Sequence, residues 1–145
     1  MTLPAEDRNV LFKNFARAFF KRDVDALYET VTEDFVWASL DADGSTRNIS
    51  GRDAVAEKLN QRSGLLENVR FEDVVYHHAP DATFMTFRLT ATRTDTGEPH
   101  EEAGVERYTF KDGRIAVKDV YRKIASRPTR PRPDGLKPAA RPRGP

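Results

Sequence analysis

Beyond Gly64 the chain reads as extended runs separated by turn signals, and that pattern restricts the fold more than any other feature. The runs cover roughly residues 69–78, 82–94, 101–111 and 114–125, and each alternates with period two. Between them stand Pro80-Asp81, Asp95-Thr96-Gly97 and Asp112-Gly113, all of turn chemistry. Connections this tight join antiparallel neighbours, because parallel strands need a crossover of about a dozen residues or more. An antiparallel meander is therefore predicted for this half of the chain.

The first half reads differently. Pro4-Ala5-Glu6-Asp7 places a proline and two acids where a helix start favours them, and Leu11, Phe15, Ala18 and Phe19 follow at helical spacing, so a helix is predicted over 5–20. Asp23 can cap a second, short helix with Val24, Leu27, Tyr28 and Val31 along one stripe. Thr32-Glu33-Asp34 should break it before a strand over 35–40. Residues 41–49 are polar and read as a loop, and Ser50-Gly51-Arg52-Asp53 reads as a capping-box variant opening a third helix with Ala54, Val55 and Leu59 inward. Helices first and sheet afterwards make the class α+β.

Charge divides the 145 residues in two. Lys and Arg number 24 against 23 Asp and Glu, a formal net charge of +1. The segment 126–145 carries Arg127, Arg130, Arg132, Lys137, Arg141 and Arg143 against Asp134 alone, so this segment is +5 and the remainder −4. Six prolines and almost no apolar residue make 126–145 an extended arm that cannot pack a core. Residues 1–125 have the size of one domain. With no cysteine, disulfides and thiolate chemistry are excluded. No apolar run is long enough to span a membrane and no secretory signal opens the chain, so the expected location is cytoplasmic.

Several segments in this order resemble a known family. They are the Phe-rich first helix, Arg22-Asp23-Val24-Asp25-Ala26-Leu27, Glu33-Asp34, Ile49-Ser50-Gly51-Arg52-Asp53-Ala54-Val55 and Tyr108-Thr109-Phe110-Lys111-Asp112-Gly113-Arg114-Ile115. Together they are similar to the nuclear transport factor two-like superfamily, particularly its SnoaL-like and ketosteroid-isomerase-like branch. The resemblance implies three N-terminal helices on a strongly curved, mainly antiparallel sheet forming a cone with an internal pocket. It further implies a homodimer through the outer sheet face. The function it implies is binding of a small apolar or cyclic molecule, with cofactor-independent acid–base chemistry of isomerase, cyclase, dehydratase or hydrolase type. A non-catalytic ligand-binding or dimerisation module of the same fold is the alternative.

The family's catalytic groups carry over only in part. Where ketosteroid isomerases hold a tyrosine on the first helix this chain has Phe15, and where the proton-shuttling acid stands it has Trp37-Ala38-Ser39. Glu106 matches the second oxyanion donor, so steroid isomerisation is not expected. The acid that cyclases and limonene epoxide hydrolases often carry after the aromatic of the last strand is missing, since Arg122 and Lys123 follow Tyr121.

The candidate catalytic group is accordingly Glu106, with Arg88 or His78 as its electrostatic partner. Strand parity places Glu106 with Gly104, Tyr108 and Phe110, but parity cannot say whether that face is the pocket or an outer face bearing a structural ion pair. Phe15, Phe19, Trp37, Ser39, Tyr108 and Tyr121 are the expected substrate-binding walls. Lys118, Asp119 and Arg122 read as mostly solvated or interfacial, and His100, beside Pro99, reads as solvated. His77 and His78 point to opposite faces of a strand and cannot chelate one ion, and no metal or cofactor is expected. Nucleotide-binding glycine loops and a serine-hydrolase elbow are absent. Nucleic acid is not an expected partner, and the basic arm is the one feature suited to an acidic surface.

Overall fold

Pro4 holds an extended backbone, with φ −62° and ψ 153°, and releases the chain into helix α1, Ala5–Lys21. The structure is a computed structural model that describes residues 3–41 and 44–124. The basic arm expected over 126–145 lies outside the described residues. Along α1 the buried residues are Arg8, Phe12, Phe15, Ala18 and Phe19, a stripe of helical period that lies on the sheet. Arg22 ends the helix in the left-handed region, and the amides of Arg22 and Asp23 close on the carbonyls of Phe19 and Ala18 at 3.2 and 3.0 Å.

Asp23 then caps α2, Val24–Leu27, its carboxylate accepting from the Ala26 amide at 3.1 Å. The expected helix to Val31 is cut to one turn. Long-range pairing wins there: the Ile115 amide donates to Thr30 O at 3.0 Å, and Val31 pairs with Ile115 in parallel. Strand β1, Val31–Leu40, consequently absorbs Thr32-Glu33-Asp34, which had read as a break.

The loop expected over 41–49 contains strand β2, Thr46–Ser50, antiparallel to β1 with Trp37 opposite Ile49. Only Ile49 of this strand is buried, so no alternation was visible. Ser50 closes β2 rather than capping a helix. Gly51, at φ 91°, occupies the N-cap of α3, Arg52–Leu65, without a side-chain bond. Val55 and Leu59 of α3 are buried and Ala54 is exposed.

Four long strands follow: β3, Leu66–His78; β4, Thr83–Arg93; β5, Pro99–Lys111; and β6, Arg114–Ile124. They form the predicted antiparallel meander. The order across the six-stranded sheet is β2-β1-β6-β5-β4-β3, and the β1–β6 contact is parallel, so the sheet is mixed. Asp112 and Gly113, at φ 54° and 77°, make the two-residue turn between β5 and β6. Bulges interrupt β3 between Glu67 and Arg70 and between Glu72 and Val75, with Asn68 and Asp73 both at φ 55°. Bulges bend a strand and increase its twist, which curves the sheet around the helices.

The core lies between α1 and the concave face. Phe12 stacks on Tyr76 and meets Tyr108 edge-on, both with ring centroids 4.8 Å apart, and Phe19 lies 5.2 Å from Trp37. Rings of this size supply most of the apolar burial. Arg8 fixes the other end of α1. Its guanidinium donates to the carbonyls of Leu3, Ala79, Pro80 and Ala82 and to Thr83 Oγ1, and lies 4.9 Å over the Phe110 ring. Those bonds make an otherwise costly buried charge tolerable and lock α1 to the β3–β4 turn.

Candidate functional site

Even-numbered residues of β5 face the core, so His100, Glu102, Gly104, Glu106 and Tyr108 run along one inner line. Register sets Tyr108 opposite Lys118, Glu106 opposite Val120 and Gly104 opposite Arg122 on β6. Acids from β5 and bases from β6 therefore share the concave face. They form two polar groups, one deep and one near the sheet's open end.

In the deep group, Lys118 Nζ donates to Glu106 Oε1 at 2.6 Å and to Tyr108 OH at 3.1 Å. Tyr108 OH also donates to Glu106 Oε1. Glu106 is 4% exposed and Lys118 3%. Rings surround the ammonium: Phe19 at 5.0 Å, Tyr108 at 5.3 Å, Trp37 at 5.7 Å and Phe15 at 5.8 Å. Aromatic faces attract a cation that has lost its water, while the carboxylate neutralises it. Burial pushes the Glu106 carboxyl up, but the Lys118 charge and hydrogen bond, the Tyr108 bond and the Arg122 charge together outweigh it. The net effect holds Glu106 below its ordinary value, as a carboxylate. Tyr76 is affected in the opposite sense, raised by burial and by the Glu106 charge.

The second group opens on a cleft of about 790 Å³. Phe19, Ser39 and Leu89 line it beside Glu102 and Arg122. Glu102 is 6% exposed; its Oε2 lies 2.6 Å from His100 Nε2, and its Oε1 lies 3.4 Å from Arg122 Nε. The last pair is close enough for charge attraction but lacks hydrogen-bond geometry, and neither atom has another hydrogen-bond partner among the described residues. Gly104 separates the two groups. A Cβ there would stand 2.5 Å from Phe87 Cζ, so glycine is what lets the Phe87 ring cross β5.

The sequence-derived candidates are distributed as follows. Glu106, Tyr108, Phe15 and Trp37 come together around Lys118, and Phe19 belongs to that shell and to the cleft wall, where Ser39 also lies. Arg88 is corrected: it points to the outer face, bound to Glu72 at 2.9 Å, Glu101 at 3.2 Å and Asp73 at 3.3 Å. Met85, not Arg88, stands opposite Glu106, and a one-residue offset in a strand reverses the face. Tyr121 is likewise an outer-face residue, 56% exposed, its hydroxyl donating to Asp119 at 2.9 Å.

His78 shares the inner face but its ring is engaged at the far end, with Thr83 Oγ1 and Asn9 Oδ1, both at 2.9 Å. Burial and the charge of Arg8 hold its pKa below the ordinary value. Lys118 and His100 correct the expectation of solvated side chains: Lys118 is buried, and the His100 side chain is 16% exposed against Glu102. The available signal was parity. Lys118, Val120 and Arg122 alternate with Asp119 and Tyr121, and once Val120 is placed inside, its flanking charges follow.

A family model described as a SnoaL-like domain matches residues 12–118, which span every element from α1 into β6. The chain belongs to the SnoaL-like domain family. This SnoaL-like domain is similar in fold to an NTF2-like protein from Burkholderia xenovorans LB400, at 18% identity and TM-score 0.68 over 85% of this chain and 92% of that one. A candidate polyketide cyclase from Xanthomonas campestris pv. campestris matches at 18% identity and TM-score 0.65, over 80% and 90%. A protein of ketosteroid isomerase-like fold from Catenulispora acidiphila, in complex with trimethylamine, matches at 17% identity and TM-score 0.61, over 77% and 83%. No curated protein matches. At these identities the likeness establishes the fold of the SnoaL-like domain. Among the described residues, no cluster of three or more His, Asp or Glu side chains is placed to hold a metal, and no helix is long and apolar enough to cross a membrane.

Proposed function

We propose that this SnoaL-like domain binds a small, largely apolar cyclic molecule in the cleft bounded by Phe19, Ser39, Leu89, Glu102 and Arg122. The observation that carries the reading is the cleft itself: about 790 Å³, the size of a small-molecule site, with Phe19, Leu59, Leu66 and Leu89 supplying apolar surface among polar and charged residues that include Lys58, Arg93, Glu102 and Arg122. In this account the curved sheet is a cone and the cleft its pocket. The trimethylamine bound by the Catenulispora relative supports small-ligand binding on this fold. A thermal-shift panel of apolar cyclic compounds tests it. Concentration-dependent stabilisation by at least one ring class is expected, and a flat response across the panel counts against the cleft.

One observation favours cofactor-free acid–base chemistry as a second reading. Phe19 both lines the cleft and covers Lys118 at 5.0 Å, so the Glu106–Tyr108–Lys118 network lies one side chain away from a bound ligand. Movement of that ring would let Tyr108 or Lys118 donate a proton while Glu106 accepts one. Once turnover is found, a Glu106→Gln variant that keeps the wild-type rate removes Glu106 from the chemistry. Arg88 and His78, bound elsewhere, have no part in this version.

The homodimer through the outer sheet face is part of the same proposal. Val75, Thr86, Val105 and Tyr121 are in register across β3 to β6 on that face, and Val75, Val105 and Tyr121 are exposed. An apolar row of this kind suits a symmetric contact with a second copy.

A further inference from the structure

Two oppositely charged atoms, each closed off from solvent, face each other in the wall of the cleft without completing a hydrogen bond. Glu102 Oε1 is an acceptor and Arg122 Nε carries a donor; they are 3.4 Å apart and otherwise unpartnered among the described residues. The Glu102 side chain is 7% exposed, and both residues line the cleft wall. Leaving such groups unpaired where water is excluded is costly, so a group that satisfies both at once binds there with a premium.

The complement is defined by chemistry. It must donate to a carboxylate oxygen and accept from a guanidinium N–H through atoms no more than a bond length apart. A single hydroxyl does both, because its O–H donates and its lone pairs accept. A carbonyl satisfies only Arg122, and an ammonium only Glu102. His100, holding the other carboxylate oxygen at 2.6 Å, fixes the orientation of Glu102. Leu89, opposite Glu102 on β4, and Phe19 present apolar surface beside the clamp.

Resting on the cleft as the binding site, we infer that Glu102 and Arg122 form a hydroxyl clamp, and that the ligand is a cyclic alcohol or phenol whose hydroxyl enters between them as the Arg122 side chain, 20% exposed, swings toward the cleft. His100 acts as a positioning residue. Each of the two clamp bonds has an ionised partner, which places them among the stronger hydrogen bonds.

Calorimetric titration of the full-length protein with 2-indanol, 2-methoxyindane, 2-indanone and indane separates the alternatives. The four share one ring system and differ in whether they donate, accept or do neither. Expected is a 2-indanol affinity about tenfold or more above that of indane, with the two acceptor-only probes, the ether and the ketone, between. Glu102→Gln should reduce 2-indanol binding about tenfold and leave indane unchanged, and Arg122→Met should weaken alcohol and ketone alike. Equal affinities of all four probes for the wild-type protein would overturn the clamp while leaving the cleft as a binding site, as would an ordered water that no alcohol displaces. Failure of all four to bind would overturn both. The wild-type comparison is decisive even if a variant fails to fold.

Discussion

Lys118 is the residue on which the inner face turns. Its ammonium is sealed among four rings and held by Glu106 and Tyr108. Removing one partner of a buried pair strands the other charge in a medium that cannot solvate it. Lys118→Met should therefore destabilise the domain by about 3–5 kcal/mol, read by urea denaturation, whereas pairing it with Glu106→Gln should restore much of the loss. Stability should also depend on acidity through Glu106. Because its folded pKa lies below the unfolded one, its contribution is present at neutral pH and is lost as pH falls from about 5 through the folded value. Glu106→Gln should flatten that part of the stability–pH curve; an unchanged slope would mean that Glu106 is not held as a carboxylate. Glu106 was legible as a candidate because it matches the family's second oxyanion donor and shares a strand face with Gly104, Tyr108 and Phe110. Lys118 was not, since a lysine in a charged strand ordinarily reads as solvated, and only cross-strand register reveals Tyr108 opposite it.

At the scale of elements, what was legible followed from local signals and what was not required partners distant in sequence. Alternation and turn residues specified the β3–β6 meander, and apolar spacing specified α1, because each depends on neighbours within a few residues. The parallel β1–β6 contact joins segments more than 80 residues apart and shortens α2 by capturing Val31, which no local pattern announces. Strand β2 was hidden because an edge strand with Ile49 as its single buried side chain carries no period. Gly104 belongs to this scale as well, since a strand interior ordinarily disfavours glycine. Here it leaves room for Phe87, which is itself packed 5.1 Å from Phe71 and cannot easily retreat. Gly104→Ala should cost about 1–3 kcal/mol in thermal or chemical unfolding. A neutral result would show that the ring moves freely and that β5 tolerates a side chain between its two polar groups.

For the whole molecule, the curved sheet presents two faces with different chemistry. The concave one holds the core, the sealed Glu106–Lys118 pair and the cleft; the convex one carries Arg88 in a ring of acids beside an apolar row. If that row is the dimer surface, Val105→Asp should shift the protein from dimer to monomer in light scattering while its helical and sheet content is unchanged. Monomeric wild-type protein would remove the basis for the contact. Charge adds little to the placement of the site, because the cleft wall carries both signs, with Asp95 and Glu102 beside Lys58, Arg93 and Arg122. The central claim is that the cleft is where ligand binds, and amide chemical-shift mapping with 2-indanol tests it most directly. Shifts concentrated at Phe19, Ser39, Leu89, Glu102 and Arg122 are predicted; shifts confined to the convex face or the outer side of α1 would contradict it.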